Sequence, residues 1–218
     1  MAQTKAPGAA AVVLDIKSGE ILSLVSLPSF DNNIFNTRLV SKIYQELINN
    51  KNRPFFNRAI SGFYPAGSTI KPFIASAALV EKTIDPNYKV DDTLGYISIP
   101  NVYNPEITYI YRDWRPHGFV DMRRALAVSA NVYFYTIGGG YKNIKGLGIN
   151  KIEEYLKLFG FGNTLGIDLP GETGGLVPNP DWKMKTRQES WFTGDTYNVS
   201  IGQGDVKITP LQLATAMA

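Results

Sequence analysis

The sequence predicts an α/β (α+β) protein, a helical body carrying a short antiparallel sheet. Two apolar runs, "AAVVLDI" and "EILSLVSL", flank a glycine turn and read as a β-hairpin. Later segments repeat apolar residues at helical spacing. With 44% hydrophobic and 19% charged residues in 218, the chain can bury one ordinary core, and it contains no internal repeat or low-complexity segment.

In the hairpin, Val12, Val13, Leu14 and Ile16 oppose Ile21, Leu22, Leu24 and Val25, and the near-continuous apolar character predicts cover on both faces. Thr37 to Asn50 places Leu39, Ile43, Leu47 and Ile48 on one helical face. A helix starting near Ser68 carries Ile70, Phe73, Ile74, Ala77, Ala78 and Leu79, and its run of small residues predicts close neighbours and a central position. Residues 83–116, rich in Pro, Asn and Tyr, read as irregular. Helical patterning resumes on either side of Ser129 in "DMRRALAVSANVYFYTIGGG". The glycines Gly138–Gly140 stop that helix; a phosphate-cradling loop would need its helix after the glycines.

Asn150 to Gly162 is amphipathic, with Asn150 as N-cap, Glu153 as its capping-box partner and Gly160 as the stop. "GIDLPGETGGLVPNP" is a turn-rich loop. Thr209 caps a last helix with Pro210 at its first position. That helix is still apolar where the sequence stops, which reads as a domain that continues.

Several function classes fall away. A net charge of +3 without a basic run argues against nucleic acid. The absence of cysteine removes disulfides and thiolate zinc sites. No apolar stretch approaches the ~18–20 residues of a membrane span, and the start lacks a signal-peptide pattern.

The chemistry concentrates in "GFYPAGSTIKPF". Residues three apart share a helix face, so Ser68 and Lys71 are neighbours behind a turn that lifts the serine. Pro72 cannot donate to the Ser68 carbonyl and its ring crowds it, which predicts an irregular first turn. A serine hydroxyl needs an adjacent base, and a lysine serves only if its pKa falls from about 10.4 toward ~7–8. An isolated Ser-x-x-Lys is usually just an N-cap and a surface lysine. Here a second element, Ser129–Ala130–Asn131, interrupts a buried apolar run with two polar side chains that need partners.

Ser-x-x-Lys followed by Ser-x-Asn resembles the penicillin-binding proteins and serine β-lactamases. "GFYPAGSTIKPF", "AAVVLDIKSGEILSLVSLPSFDNN", "GIDLPGETGGLVP" and "GDTYNVSIGQGDVKITPLQLATAMA" are similar to the transpeptidase domain of class B, high-molecular-weight members of the elongation, cell-shape type. The resemblance covers nearly the whole chain. It implies the transpeptidase/serine β-lactamase-like fold. It implies Ser68 as the acylated nucleophile, Lys71 as its base, Ser129 as a proton relay and Asn131 as the group binding the stem-peptide amide. The Ser68 N–H would be one oxyanion donor. Trp191 is placed on the cleft wall.

The resemblance further implies peptidoglycan stem peptides ending in D-Ala-D-Ala as substrates and β-lactams as inhibitors. It implies a shape-and-elongation glycosyltransferase as partner, no cofactor, and an anchored enzyme on the outer side of the cytoplasmic membrane. The family's Lys-(Ser/Thr)-Gly motif follows the final helix, and the chain is read as holding no such triplet. Residues 1–218 are therefore expected to be a transpeptidase domain truncated before that strand, with an incomplete sheet and without anchor or pedestal domain.

His117, with Asp113 four residues before it and Asp91 and Asp92 further back, makes a metal site conceivable, and the resemblance adds that some elongation-type relatives hold zinc in this region through Asp, His and Cys. Lacking cysteine, this chain is assigned no metal, and His117 reads as a hydrogen-bonded loop histidine. Asp195 and Asn198 are read as holding their own loop together. A β-lactamase would share the four site residues but need a carboxylate for its deacylating water, and Glu153, Glu154 and Glu172 read as helix-surface and turn residues. The same motifs would also serve a β-lactam-sensing receptor domain, which acylates once and signals. In a purely structural domain Ser68 and Lys71 would be incidental.

Overall fold

The computed structural model describes residues 6–36, 41–101 and 104–218. In chain order its elements are β1 (Ala9–Leu14), β2 (Ile21–Leu27), α1 (Ser41–Ile48), β3 (Tyr64–Pro65), α2 (Lys71–Val80), β4 (Val90–Asp92), β5 (Tyr96–Pro100), β6 (Thr108–Arg112), β7 (Gly118–Val120), α3 (Met122–Val128), α4 (Asn131–Gly139), α5 (Gly148–Leu158), α6 (Pro180–Arg187), α7 (Thr193–Ser200), β8 (Lys207–Ile208) and α8 (Pro210–Met217). They form two compact units. One comprises Met1–Tyr64, Gly160–Leu176 and Ile208–Ala218, the other Pro65–Phe159 and Val177–Lys207.

The first unit is built on the predicted hairpin. β1 and β2 pair antiparallel from Ala9↔Leu27 to Leu14↔Ile21. Lys17–Ser18–Gly19 forms the turn, whose Lys17 and Ser18 N–H groups donate to the Asp15 carboxylate. A Lys-Ser-Gly triplet therefore does occur in the chain, contrary to the sequence expectation, and it is this exposed turn. The hairpin buries one face only. Ala10, Val12, Leu14 and Leu24 pack on Ala59, Ile60 and Leu211, while Val13, Ile21, Leu22 and Val25 are exposed. The expected cover on both faces fails because α8 and the 59–60 segment supply a partner to a single side. α8 starts as predicted, with the Thr209 hydroxyl and the Gln212 amide capping each other. The buried Gln212 amide nitrogen also donates to the carbonyls of Gly160, Asn163 and Gly174. α1 begins at Ser41, so Leu39 lies outside the described residues.

The second unit is a helical body around α2 and α4. α4 is buried on every side from Val132 to Gly138, and α2 buries Lys71, Phe73, Ile74, Ala75, Ala77 and Ala78. The small residues of α2 thus sit centrally, as their size predicts, although Leu79 is exposed. α4 and α7 meet at Gly138 and Gly139, where an added methyl would occupy the space of the Ser200 and Tyr197 side chains.

The segment read as irregular, residues 83–116, instead contains β4, β5 and β6, and β7 follows it. β5 pairs with β6 from Tyr96↔Arg112 to Pro100↔Thr108, and β4 with β7 from Val90↔Val120 to Asp92↔Gly118. Their short lengths and interspersed Pro and Asn hide the strand periodicity. α5 starts at Gly148 without a side-chain cap. Asn150 lies inside its first turn rather than at the cap, and Glu153 instead binds Lys157 and Asn179.

Gly138→Ala is expected to destabilise the chain by about 1–3 kcal/mol, because the α4–α7 contact has no room for a methyl group. Chemical denaturation of both forms checks this, and an unchanged midpoint would contradict it.

Candidate active site

Ser68 lies in a single 3₁₀ turn, Gly67–Ile70, that leads directly into α2. Pro72 explains the tight turn: it offers no N–H, and the Ser68 carbonyl is taken instead by the N–H of Lys71. Gly67 holds the turn from the other side by donating its N–H to the Gly202 carbonyl at 2.8 Å. Gly202 has a φ of +71°, and a side chain there would run into the Gly67 backbone, so both its conformation and its close approach require glycine. The result is an exposed serine on a braced turn, above a lysine that is 1% exposed.

The second element arrives from the α3–α4 junction. Ser129 closes α3 in the left-handed region, with φ 56° and ψ 42°, which is uncommon for a residue other than glycine. The Ala130 N–H returns to the Ala125 carbonyl, and the chain then enters α4 at Asn131. Ala130 has no side chain to cap α4. That role falls to Asp113, whose Oδ2 accepts the Val132 N–H at 2.9 Å. The sequence offers Asp113 only as a metal candidate and not in this role, because only the tertiary fold brings the end of β6 to the start of α4.

The four predicted residues meet in one hydrogen-bonded chain. The Ser129 hydroxyl donates to Ser68 Oγ at 2.8 Å. Lys71 Nζ donates to Ser129 Oγ at 3.0 Å, to the Ser129 carbonyl at 2.8 Å and to Asn131 Oδ1 at 2.7 Å. Every proton of the ammonium has an acceptor, and none of those acceptors is ionised. Burial lowers the Lys71 pKa to about 8, with the negative charge of Asp113 pulling weakly the other way. The amine reaches Ser68 through Ser129, so the serine hydroxyl is the bridge between nucleophile and base. Because Asn131 Oδ1 faces Lys71, its amide nitrogen is the group left to donate to a ligand.

Trp191 is not brought to this network. Its indole N–H donates to Thr196 Oγ1, fastening it to the first turn of α7, and no hydrogen bond or ring contact among the described residues joins it to Ser68, Lys71, Ser129 or Asn131. Asp195 holds its loop, as expected, by accepting Phe192 N–H and Lys183 Nζ. The three glutamates that a hydrolase could draw on are engaged elsewhere. Glu172 accepts three backbone N–H groups at residues 165–167, Glu153 pairs with Lys157 and Glu154 with Lys151.

Comparison with known proteins agrees with this geometry. Residues 9–218 match the family described as the penicillin binding protein transpeptidase domain. The chain is 43% identical over 212 residues to the peptidoglycan D,D-transpeptidase MrdA of Acinetobacter baumannii, covering 96% of this chain and 30% of that protein. It is 38% identical to the MrdA of Escherichia coli over 211 residues, covering 96% and 31%. The chain thus spans about a third of the length of these relatives. Among solved structures it superposes on Pseudomonas aeruginosa PBP2 in complex with WCK 5153 with a TM-score of 0.84 at 37% identity, covering 95% of this chain and 43% of that one. It superposes on the PBP2 of a complex with MreC from Helicobacter pylori with a TM-score of 0.82 at 32% identity, covering 94% and 36%.

Behind the start of α4, Asp92, Asp113 and His117 each bring a ligand atom within 4.8 Å of the others, while Asp91 stays outside the group. Both Asp92 oxygens and His117 Nε2 are buried with no hydrogen-bond partner, so the expected hydrogen-bonded loop histidine is not realised at that nitrogen. Burial and the adjacent Asp113 hold the Asp92 carboxyl well above the usual carboxylate range. Three unsatisfied buried atoms around one point fit a divalent cation such as zinc. After chelation, zinc at a hundredfold excess over its Kd is expected to raise Tm by roughly 5–10 °C. Asp92→Asn should lose the rise; an equal rise in that variant would contradict the assignment.

Proposed function

Since this chain belongs to the penicillin-binding protein transpeptidase family, we propose that it carries the nucleophilic half of a peptidoglycan D,D-transpeptidase site. The observation that carries this reading is the unbroken path Ser68 Oγ–Ser129 Oγ–Lys71 Nζ. Ser68 attacks the carbonyl of the penultimate D-alanine of a stem peptide. Its proton passes to Ser129 while the Ser129 proton passes to neutral Lys71. The tetrahedral oxyanion forms beside the Ser68 N–H, which stands in the first turn of its helix, where no intrahelical acceptor exists. The carbon–nitrogen bond then breaks, and the proton returns through Ser129 to the departing D-alanine amine. An amine of a second stem attacks the acyl-enzyme, loses its proton along the same path and releases Ser68. A β-lactam follows the first half of this sequence and leaves its opened ring on the serine.

A lysine pKa near 8 suits this cycle, because the amine must accept and return a proton near neutral pH. Zinc held by Asp92, Asp113 and His117 would supply fixed positive charge that locks Asp113, and with it the start of α4, in place. A hydrolase loses support, since Glu153, Glu154 and Glu172 are committed to other partners. The relatives named as MrdA, and the PBP2 solved with MreC, support a parent activity within shape-and-elongation machinery; a partner glycosyltransferase and a position at the outer face of the cytoplasmic membrane are part of this proposal. Among the described residues no helix is long and apolar enough to cross a membrane.

Intact-protein mass after incubation with a penicillin tests the reading. One adduct on the parent chain, none on Ser68→Ala, and formation slowed about 10²–10⁴-fold in Ser129→Ala are expected. An adduct on folded Ser68→Ala would contradict the assignment, as would an unchanged rate in Ser129→Ala.

A further inference from the structure

A cavity of about 390 Å³ opens between the β5–β6 hairpin and the start of α7. Its size falls within the range of small-ligand pockets, about 300–1,000 Å³. Tyr109 and Tyr111 line it from β6, and Phe192, Thr193, Tyr197 and Asn198 line it from α7 and its approach. Phe192 is 63% exposed and Tyr109 48%, so two aromatic rings are offered to solvent from two different elements. Tyr111 and Tyr197 form the fixed part of the wall, their rings packed 4.8 Å apart. A glycine at 194 allows this, because a side chain there would strike the Tyr111 hydroxyl.

The polar groups narrow the ligand. Among the described residues of the lining, Asp195 is the only carboxylate and no lysine or arginine contributes. Lys183 Nζ lies 2.8 Å from Asp195 Oδ2 and neutralises it. Lys183 Nζ also lies 5.4 Å from the Phe192 ring centre, so the two charges beside the cavity are paired with each other and offer neither an anion nor a cation a free partner. The Thr193 hydroxyl and the Asn198 amide stand in the lining and can hydrogen-bond a neutral ligand. Exposed rings beside neutral hydroxyl and amide groups suit a pyranose, whose C–H face covers a ring while its hydroxyl and acetamide groups meet the polar rim.

We propose that this cavity is a saccharide subsite that holds an N-acetylated sugar of the glycan to which the stem peptide is attached. The proposal rests on the peptidoglycan reading above. The cavity is coupled to the catalytic network through α4. Tyr111 and Tyr197 pack on Tyr135 with ring centres 6.0 and 5.6 Å away. Tyr135 follows Asn131 by one helical turn, about 6 Å along the axis. A sugar seated here would orient the strand relative to Ser68 without taking part in acyl transfer.

The test titrates tri-N-acetylchitotriose into the full chain by calorimetry, for the parent, Phe192→Ala and Tyr109→Ala, with penicillin adduct formation on Ser68 measured in parallel. Saturable binding is expected, weakened about tenfold or more by each substitution, with adduct formation unchanged. No saturable binding, or equal binding by folded variants, overturns the subsite; if the Ser68 adduct still forms, the peptidoglycan reading stands without it. If a free stem pentapeptide binds instead and the same substitutions weaken it, the cavity is a peptide site and the saccharide assignment is wrong. Absence of the adduct from the folded parent would count against the underlying reading instead.

Discussion

The site depends on keeping one amine out of water. Lys71 is 1% exposed, and its three hydrogen bonds go to uncharged oxygens. A carboxylate at any of those positions would stabilise the ammonium and raise its pKa, and open water would return it toward its ordinary value. Other features of the second unit can be understood as means to this arrangement. The small residues of α2 let α4 approach closely, and Phe134 on α4 closes over the amine, 5.3 Å from its ring centre. Asp113 supplies the cap that Ala130 cannot, and lies near enough to keep the pKa from falling further.

Ser129 shows how backbone conformation serves chemistry here. A left-handed serine between two helices costs of order 1–3 kcal/mol relative to relaxed backbone. In return its hydroxyl donates to Ser68 while its hydroxyl and carbonyl oxygens both accept from Lys71. A serine at an ordinary helix N-cap would spend its oxygen on the N–H groups of its own helix. The turn at Gly67–Ile70 is governed by the same economy of space, with Pro72 on one side and the Gly67–Gly202 backbone contact on the other.

The local parts of this design were legible in the sequence. Ser68 and Lys71 stand out as a pair three residues apart at a turn–helix junction, Ser129 and Asn131 as polar interruptions of an apolar run, and Pro72 announces the irregular turn. The capping of α8 by Thr209 and Gln212 follows from residue types three positions apart. What required the fold was everything assembled from distant segments. Asp113 reads from the sequence only as a candidate metal ligand, and its capping of α4 appears once β6 and α4 converge. Asp92, Asp113 and His117 can be weighed from the sequence as metal ligands and are set aside there for want of a cysteine; only the fold, through β4 and the loop before β7, shows that these three converge and that Asp91 does not. Strands β5 and β6 were hidden by Pro, Asn and Ser within short runs, and with them the cavity they help to form. Trp191, read from the sequence as a cleft-wall residue, donates its indole N–H to Thr196, and it is its neighbour Phe192 that lines the cavity.

The central claim is that desolvation makes Lys71 a base near neutral pH, acting through the Ser129 hydroxyl. Direct NMR titration of the Lys71 Nζ, with a Lys71→Arg variant to assign its signal, tests that most directly. A midpoint close to 8 is predicted, with the amine protonated below it and neutral above. A midpoint near 10.5, the ordinary value for lysine, would mean that the amine stays charged under working conditions and that the base must be sought elsewhere.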